Sequence, residues 1–277
     1  MAVKAEHLLH VQWLEKLKSI KTGEDREIHL YRLVPDELDG ATMTAWARHF
    51  RQHYCLDRDL PRLRRGTPSK TNGDYLVNFK FPDEHSGFGP GIRAGDFAEI
   101  LVSDLLESTL DYFVPRTRYG DKKVRDESPK GSDVIGLRIL SENPQNHSPY
   151  DELFSVESKA KLSKGKSNRL QDAVTDSAKD YFRIAASLNA MKNRLIDLRE
   201  DEQADYVERF QDPPARPFVQ KYGAAAVLCS STYDAETIAK TVCTDHPYEG
   251  QLDLLCIHGE DLMKFVNALY KRAADEA

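Results

Sequence analysis

The sequence predicts an α/β (α+β) protein in which a mixed sheet is flanked by helices, with a smaller N-terminal α+β region. Two observations support this prediction. Apolar residues recur at helical spacing in several long stretches. Between these stretches lie short strand-like segments such as KYGAAAVLCS at 221–230 and QLDLLCIH at 251–258. Such alternation along one chain is typical of layered domains in which helices cover a sheet.

The composition limits the classes of function. The 277 residues have a formal net charge of −6, which argues against a free-standing, high-affinity DNA-binding protein but allows a local basic groove. The four cysteines stand alone and are expected to be free thiols in a reducing cytosol. No apolar run reaches the roughly 20 residues of a membrane helix. We therefore expect a cytoplasmic protein with no membrane partner.

The N-terminal part mixes helical and strand-like segments. Residues 5–20 place apolar side chains at near-helical spacing, and EIHLYRLV at 27–34 is typical of a strand. Asp36 or Asp39 is a candidate N-cap for a helix that continues to about Cys55.

A boundary is predicted near residue 90. YLVNFKF at 75–81 alternates as a strand does, and PDEHSGFGPG at 82–91 is the best candidate for a linker because of its Pro and Gly content. We assign residues 1–90 to partner docking or regulation, and residues 91–277 to the domain that contains the chemistry.

The second region alternates more regularly between helices and strands. A helix is expected over about 93–113, because Pro115 cannot continue it. The other predicted helices lie at 168–190, 191–217, 234–242 and 261–275. The predicted strands lie at 116–124, 132–140, 152–162, 221–230 and 251–258.

Two neighbouring strands of this region present acids and a lysine. In ELFSVESKAKL, Glu157 and Lys159 share one strand parity and therefore point to the same face, roughly 7 Å apart. Asp133 opens the preceding strand. Carboxylates arranged in this way suit Mg²⁺ or Mn²⁺, which prefer oxygen ligands. The lysine would orient or polarise an attacking water.

Glu99 departs from the polar face of the helix over 93–113. That face comprises Asp96, Ser103, Asp104, Glu107 and Asp111. Glu99 instead falls among Val102, Leu106 and Leu110, where a carboxylate is costly unless it is paired or bound to metal. Glu99 is therefore a candidate further ligand.

Each of these residues also has a purely structural explanation. Glu157 and Lys159 could form an ion pair on a solvated strand, Asp133 could be a turn residue, and Glu99 could reach solvent at the helix margin. The order of a helix acid, an Asp, a Glu-x-Lys on the next strand and then a helix is more specific than any one of them. This order favours a metal site.

That order resembles the PD-(D/E)XK nuclease superfamily over residues 92–190, although Ser132 stands at the position of the superfamily's Pro. More narrowly, the chain is similar to HamA, the nuclease-subunit family of the Hachiman antiphage-defence system, in the stretches GIRAGDFAEILVSDLLE, DYFVPRTRY, KGSDVIGLRI and DELFSVESKAKLS. The resemblance implies a PD-(D/E)XK-like fold over 91–277 and Mg²⁺- or Mn²⁺-dependent hydrolysis of DNA. It also implies a superfamily-two helicase partner, HamB-like, that licenses cleavage.

The resemblance implies roles for individual residues. Asp133 and Glu157 match the metal-binding acids, and the Ser158 carbonyl matches the backbone ligand between them. Lys159 matches the catalytic lysine, and Glu99 matches the helix acid of many members. The alternatives are a stand-alone restriction or repair endonuclease and a catalytically inactive nuclease-like interaction module.

A basic stretch follows the candidate site. Candidates to bind the DNA backbone are Lys161, Lys164, Lys166 and Arg169, and Gln171 could reach the site from the next helix. A solvated loop explains the basic stretch equally well. His53, His85, His147 and His258 have no nucleophile at readable spacing and are expected to be ordinary histidines. No phosphate-binding glycine motif occurs, so the chain itself should not hydrolyse ATP.

Overall fold

The structure is a computed structural model that describes residues 8–36, 38–141, 147–165 and 167–277. Its strands are β1 Leu14–Lys16, β2 Ile20–Lys21, β3 Glu27–Leu33, β4 Val134–Arg138, β5 Glu152–Lys161, β6 Val219–Cys229 and β7 Leu252–Gly259. They form one seven-stranded sheet in the order β1-β3-β7-β6-β5-β4, and β2 also pairs with β3. Strands β3, β7, β6 and β5 are parallel, whereas β1, β2 and β4 are antiparallel to their neighbours. The predicted mixed sheet is confirmed.

Helices cover both faces of this sheet. The α-helices are α1 Gly40–Tyr54, α2 Leu60–Arg64, α3 Asn72–Tyr75, α4 Gly89–Leu110, α5 Arg169–Ser177, α6 Asp180–Asp197, α7 Asp201–Glu208, α8 Ala235–Ala239 and α9 Leu262–Asp275. Helices α1, α4 and α9 share one apolar core with Phe154 and Val156 of β5. Helices α5 to α8 share the other core with Leu153. The alternation along β5 follows from the strand period of two.

Local capping explains where two helices begin. Asp39 is the N-cap of α1, since its Oδ1 accepts a hydrogen bond from the Thr42 amide at 3.0 Å. Asn168 is the N-cap of α5, since its Oδ1 accepts a hydrogen bond from the Gln171 backbone amide at 3.1 Å. Asp36 and Asp39 were the two predicted caps of α1, and Asp39 is the one that caps it in the structure. Among the described residues, no helix combines the length and apolarity needed to cross a membrane.

The helix predicted over residues 5–20 is wrong for the described part of that range. A short 3₁₀ turn at Leu9–Trp13 leads directly into β1. Strand β1 then pairs antiparallel with β3, with Leu14 opposite Leu33. Pairing with the edge of the sheet satisfies these backbone groups, and it overrides the weak helical periodicity.

The strand predicted over 75–81 is also wrong. Leu76–Lys80 forms a single π-helical turn, closed by a hydrogen bond from the Phe81 amide to the Leu76 carbonyl at 2.7 Å. Leu76 and Phe81 are fully buried, whereas Val77 and Phe79 are more than 40% exposed. The apolar alternation thus does not correspond to one buried strand face.

The strand predicted over 116–124 is replaced by an irregular segment that runs along α4 in the opposite direction. Its cations pair with acids of that helix, Lys122 with Asp96, Arg118 with Glu99, and Arg116 with both Asp104 and Glu107. The alternating pattern is real, but the partners are helix acids rather than another strand.

The two predicted regions share one sheet. Strand β3, from residues 1–90, pairs in parallel with β7, and α1 packs against α9. Residues of both regions also contribute to one apolar core. The assignment of 1–90 to docking or regulation stays a prediction.

Candidate active site

Strands β4 and β5 bring Asp133 and Glu157 together. Asp133 directly precedes Val134, which pairs with Val156, so the two acids are neighbours across the strands. The Ser158 amide donates to Asp133 Oδ2 at 3.1 Å, which links the Asp to the Glu-x-Lys segment through the backbone. Glu157 is only 4% exposed.

Lys159 lies on the same face as Glu157, as the strand parity predicts. Its Nζ donates to Glu157 Oε1 at 2.6 Å and lies 2.9 Å from Asp176 Oδ2 on α5. Burial opposes the charge on the ammonium, but the hydrogen bonds to Glu157 and Asp176 outweigh it and raise the pKa of Lys159. The lysine is therefore a fixed cation at neutral pH.

Arg118 connects Asp133 to Glu99. Its guanidinium lies 2.8 Å from Glu99 Oε2 and 2.8 Å from Asp133 Oδ1, and it also donates to the Ser132 carbonyl. Tyr119 donates a second hydrogen bond to Glu99 Oε2 at 2.5 Å. Glu99, predicted as an isolated acid on an apolar helix face, is thus held within reach of the Asp133 site by an arginine.

The carboxylates of this site are poorly compensated. Burial raises the pKa of Asp133 to about 7, and the nearby Glu99 adds to the rise while Arg118 opposes it. Burial also raises the pKa of Glu99 and of Glu157. Acids whose charged forms are disfavoured together are typical of functional sites that take up a cation.

Asp180, at the start of α6, is a further acid that sequence reasoning missed. It is fully buried, accepts a hydrogen bond from Ser155 at 2.7 Å, and has its pKa raised to about 6 chiefly by burial. Its Oδ1 and Glu157 Oε2 are buried without a hydrogen-bond partner. Arg183 lies 3.7 Å from Glu157 Oε2 and 3.9 Å from Asp180 Oδ1, too far to satisfy either oxygen.

These residues fit a hard divalent cation. Asp133 and Glu157 supply carboxylate oxygens on adjacent strands, and Glu157 retains an unpartnered buried oxygen. Oxygen-only donors favour Mg²⁺ or Mn²⁺ over softer metals. A cation there would neutralise acids that burial disfavours as anions. The roles of Glu99 and the Ser158 carbonyl as ligands remain predictions.

The candidate DNA-binding residues are spread over the loop and helix after β5. Lys161 is partly buried and Lys164 is exposed, while Lys166 lies outside the described residues. Arg169 pairs with Asp172 at 2.8 Å. Gln171 lies on α5. Its side-chain amide accepts a hydrogen bond from the Val242 backbone N–H at 2.7 Å and donates one to the Val242 carbonyl at 3.1 Å, so it is directed to Val242 and not to the acidic site.

Four charged residues at this site were not found from the sequence: Arg118, Asp176, Asp180 and Arg183. Asp180 had a readable pattern, because it shares the buried face of α6 with Ile184 and Leu188 in the way that Glu99 lies on the apolar side of its helix. Arg118 had none, since its segment was predicted to be a strand.

Comparison with protein families identifies the family to which the chain belongs. The family model described as HamA matches residues 8–273 of the 277. Searches of curated proteins and of solved structures return no match to the chain. The family match spans the acids, Lys159 and the N-terminal region alike. The chain therefore belongs to the HamA family and is a component of Hachiman antiphage defence.

Proposed function

We propose that the protein is a metal-dependent deoxyribonuclease of the PD-(D/E)XK type, the effector that hydrolyses DNA in this defence system. The observation that supports this function most directly is the state of Glu157. Its Oε1 accepts a hydrogen bond from Lys159, its Oε2 is buried without a hydrogen-bond partner, and Asp133 is the neighbouring acid across the strands. A carboxylate placed in this way can bind a divalent ion while it positions a lysine.

In the proposed reaction, each residue of the site has a separate role. Asp133 and Glu157 would hold Mg²⁺ or Mn²⁺, with Glu99 and the Ser158 carbonyl as further ligands. The bound ion would supply charge stabilisation and a more acidic water. Lys159 is held by Glu157 and Asp176. Its ammonium would stabilise the charge that builds up on the phosphodiester during in-line attack by water. The P–O3′ bond breaks as the new P–O bond forms, the attacking water loses a proton to solvent, and the 3′-oxygen leaves as a hydroxyl after it takes up a proton from solvent.

A partner would deliver the DNA. With a net charge of −6, the chain lacks the overall positive charge that gives non-specific affinity for the phosphate backbone. We propose that a superfamily-two helicase, HamB-like, licenses cleavage by presenting DNA to Lys161, Lys164, Lys166 and Arg169. This arrangement would restrain a nuclease that endangers its own cell.

The test is DNA cleavage in Mg²⁺ by the full chain, with and without the helicase and ATP. We expect cleavage only in the presence of the helicase, and its loss in Glu157→Gln. Glu236→Gln is the matched control, since Glu236 is an exposed glutamate on α8.

The other outcomes discriminate among the alternatives. Cleavage by the chain alone would indicate a stand-alone endonuclease. Absence of cleavage together with absence of Mn²⁺ binding, in a folded protein with an active helicase, would indicate an interaction module. Equal activity of Glu157→Gln and the wild type would refute the assignment of this site.

A further inference from the structure

A second cluster of ionisable groups lies between α1 and α4. His49 and His53, four residues apart, project from the same face of α1. Asp104 faces them from α4. His49 Nε2 lies 2.9 Å from Asp104 Oδ1 and 3.2 Å from His53 Nε2, and the three ligand atoms all lie within 4.8 Å of one another.

These separations are those of ligands around a small metal ion. Tetrahedral zinc sites have Zn–N and Zn–O bonds of about 2.0–2.2 Å, which places neighbouring ligand atoms about 3.3 Å apart. The two facing Nε2 atoms cannot both bear a proton at 3.2 Å without repulsion. One ion between them would use both lone pairs, with the protons on the Nδ1 atoms.

The surroundings orient the ligands. His10 lies 2.8 Å from the second oxygen of Asp104, and its ring stacks on Trp46 at a centroid distance of 4.1 Å. Metal sites commonly hold a ligating carboxylate through such an outer hydrogen bond.

We propose that His49, His53 and Asp104 form a transition-metal site, with Zn²⁺ as the fitting ion, separate from the Mg²⁺ site proposed at Asp133 and Glu157. Two imidazole nitrogens and one carboxylate are a zinc-type donor set, whereas Mg²⁺ prefers oxygens alone. The ion would tie α1, in the region of residues 1–90, to α4.

Arg116 is the positively charged group that pairs with this cluster when no metal ion is bound. It lies 2.9 Å from Asp104 Oδ1 and 3.3 Å from His53 Nε2, and it also pairs with Glu107. Glu107 offers a second carboxylate to Arg116, so the guanidinium can remain paired when an ion takes Asp104. We infer that metal and Arg116 compete for Asp104.

An ion can reach the cluster from solvent. An open groove with a volume of about 980 Å³ is lined by residues that include His10, Trp46 and His49. The side chain of His49 retains 19% of its exposure, whereas that of Asp104 retains none. The site is therefore buried at its base and open at His49.

The experiment is a titration of the chelator-treated full chain with Zn²⁺ by calorimetry, and with Co²⁺ by visible absorption. We expect one equivalent to bind, with the absorption of a low-coordinate Co²⁺ site, and Zn²⁺ to raise the melting temperature. His49→Gln and His53→Gln should each weaken binding at least about 100-fold. His49→Gln is the safer variant for folding, because its side chain is partly exposed.

Two controls locate the ion. His85→Gln alters a histidine whose side chain is 85% exposed, and it should bind Zn²⁺ as the wild type does. Glu157→Gln should also retain Zn²⁺ binding. The proposal is overturned if no equivalent binds, if His49→Gln and His53→Gln bind normally, or if binding is lost in Glu157→Gln instead.

Discussion

Two clusters on the same helix differ in how well their charges are compensated. Helix α4 contributes Glu99 to the acidic cluster with Asp133 and Glu157, and it contributes Asp104 to the histidine cluster with His49 and His53. Each cluster contains one arginine of the segment alongside α4, Arg118 in the first and Arg116 in the second. Both clusters line one small cavity, through Asp133 and His53.

The carboxylates of the two clusters respond to burial in opposite ways. Burial acts against the charge of Asp104, but His49, Arg116 and His10 outweigh it and hold the pKa of this acid well below its usual value. In the acidic cluster burial prevails, and the pKa of Asp133 rises to about 7. Glu99 and Asp104 are both buried on α4, yet burial raises the pKa of Glu99 whereas the neighbours of Asp104 lower its pKa, so the neighbours of a buried acid decide the outcome.

The largest expected effect separates catalysis from metal binding at the acidic cluster. Lys159→Gln should reduce helicase-dependent DNA cleavage about 10²–10³-fold, because it removes a fixed positive charge at the reacting phosphate. Mn²⁺ affinity should stay within a few-fold of the wild type, as Glu157 remains. Cleavage rates and Mn²⁺ binding are to be measured together, with Lys18→Gln as control at the opposite edge of the sheet. A parallel loss of Mn²⁺ binding would make Lys159 a positioning residue only.

The next effect tests whether Arg118 stands in for a metal. Arg118→Gln should tighten Mn²⁺ binding at the acidic cluster about tenfold, because the guanidinium no longer competes for Asp133 and Glu99. Without metal, the variant should lose about 3 kcal/mol of unfolding free energy, since buried acids lose their partner. Mn²⁺ titrations and thermal melts check both results. Weaker Mn²⁺ binding would instead show that Arg118 organises the ligands.

Arg116→Gln is the matched comparison. It should leave Mn²⁺ binding at the acidic cluster unchanged, because Arg116 contacts neither Asp133 nor Glu99 in the pairs that it forms. It should tighten Zn²⁺ binding at the histidine cluster about tenfold, by the same competition argument. If Arg116→Gln instead tightened Mn²⁺ binding and Arg118→Gln tightened Zn²⁺ binding, the two clusters would not be separate sites.

The pH dependence of Mn²⁺ binding tests the raised pKa of Asp133. Because the pKa of Asp133 is raised to about 7, its carboxyl is protonated below that pH and must lose the proton to bind an ion. Mn²⁺ affinity should therefore be constant above about pH 8 and fall about tenfold for each pH unit below pH 7. Affinity that is equal at pH 6 and pH 8 would contradict this. Circular dichroism at each pH controls for unfolding.

The smallest effect concerns DNA contact. Lys164→Ala should weaken binding of DNA to the helicase-containing complex only two- to threefold, roughly the effect of losing one phosphate contact, and should reduce the salt slope by about 1. Lys18→Ala, at the far edge of the sheet, should change neither quantity. Identical salt slopes for the wild type and Lys164→Ala would remove Lys164 from the DNA path.

Prediction from the sequence succeeded where one element contains the whole pattern. Strand parity alone placed Glu157 and Lys159 on one face, where their charged atoms are 2.6 Å apart. It failed where the partner lies elsewhere in the chain. The alternating cations of residues 116–124 suggested a strand, although each pairs with an acid on α4. The histidine cluster was missed for the same reason, since His53 and Asp104 are far apart in sequence.

The sequence by itself determined the mixed sheet, the helices α4 and α9 and the Glu-x-Lys strand, because periodicity and capping are local properties of the chain. The helices predicted over 168–190 and 191–217 were misplaced, since α5 ends at Ser177 and α6 runs from Asp180 to Asp197. Only the tertiary structure decided which charges meet. Arg118 reaches Glu99 and Asp133, Asp180 faces Glu157, and Arg116 reaches Asp104 through packing between distant segments. Compensation of a buried charge depends on distance and burial, which no local pattern records.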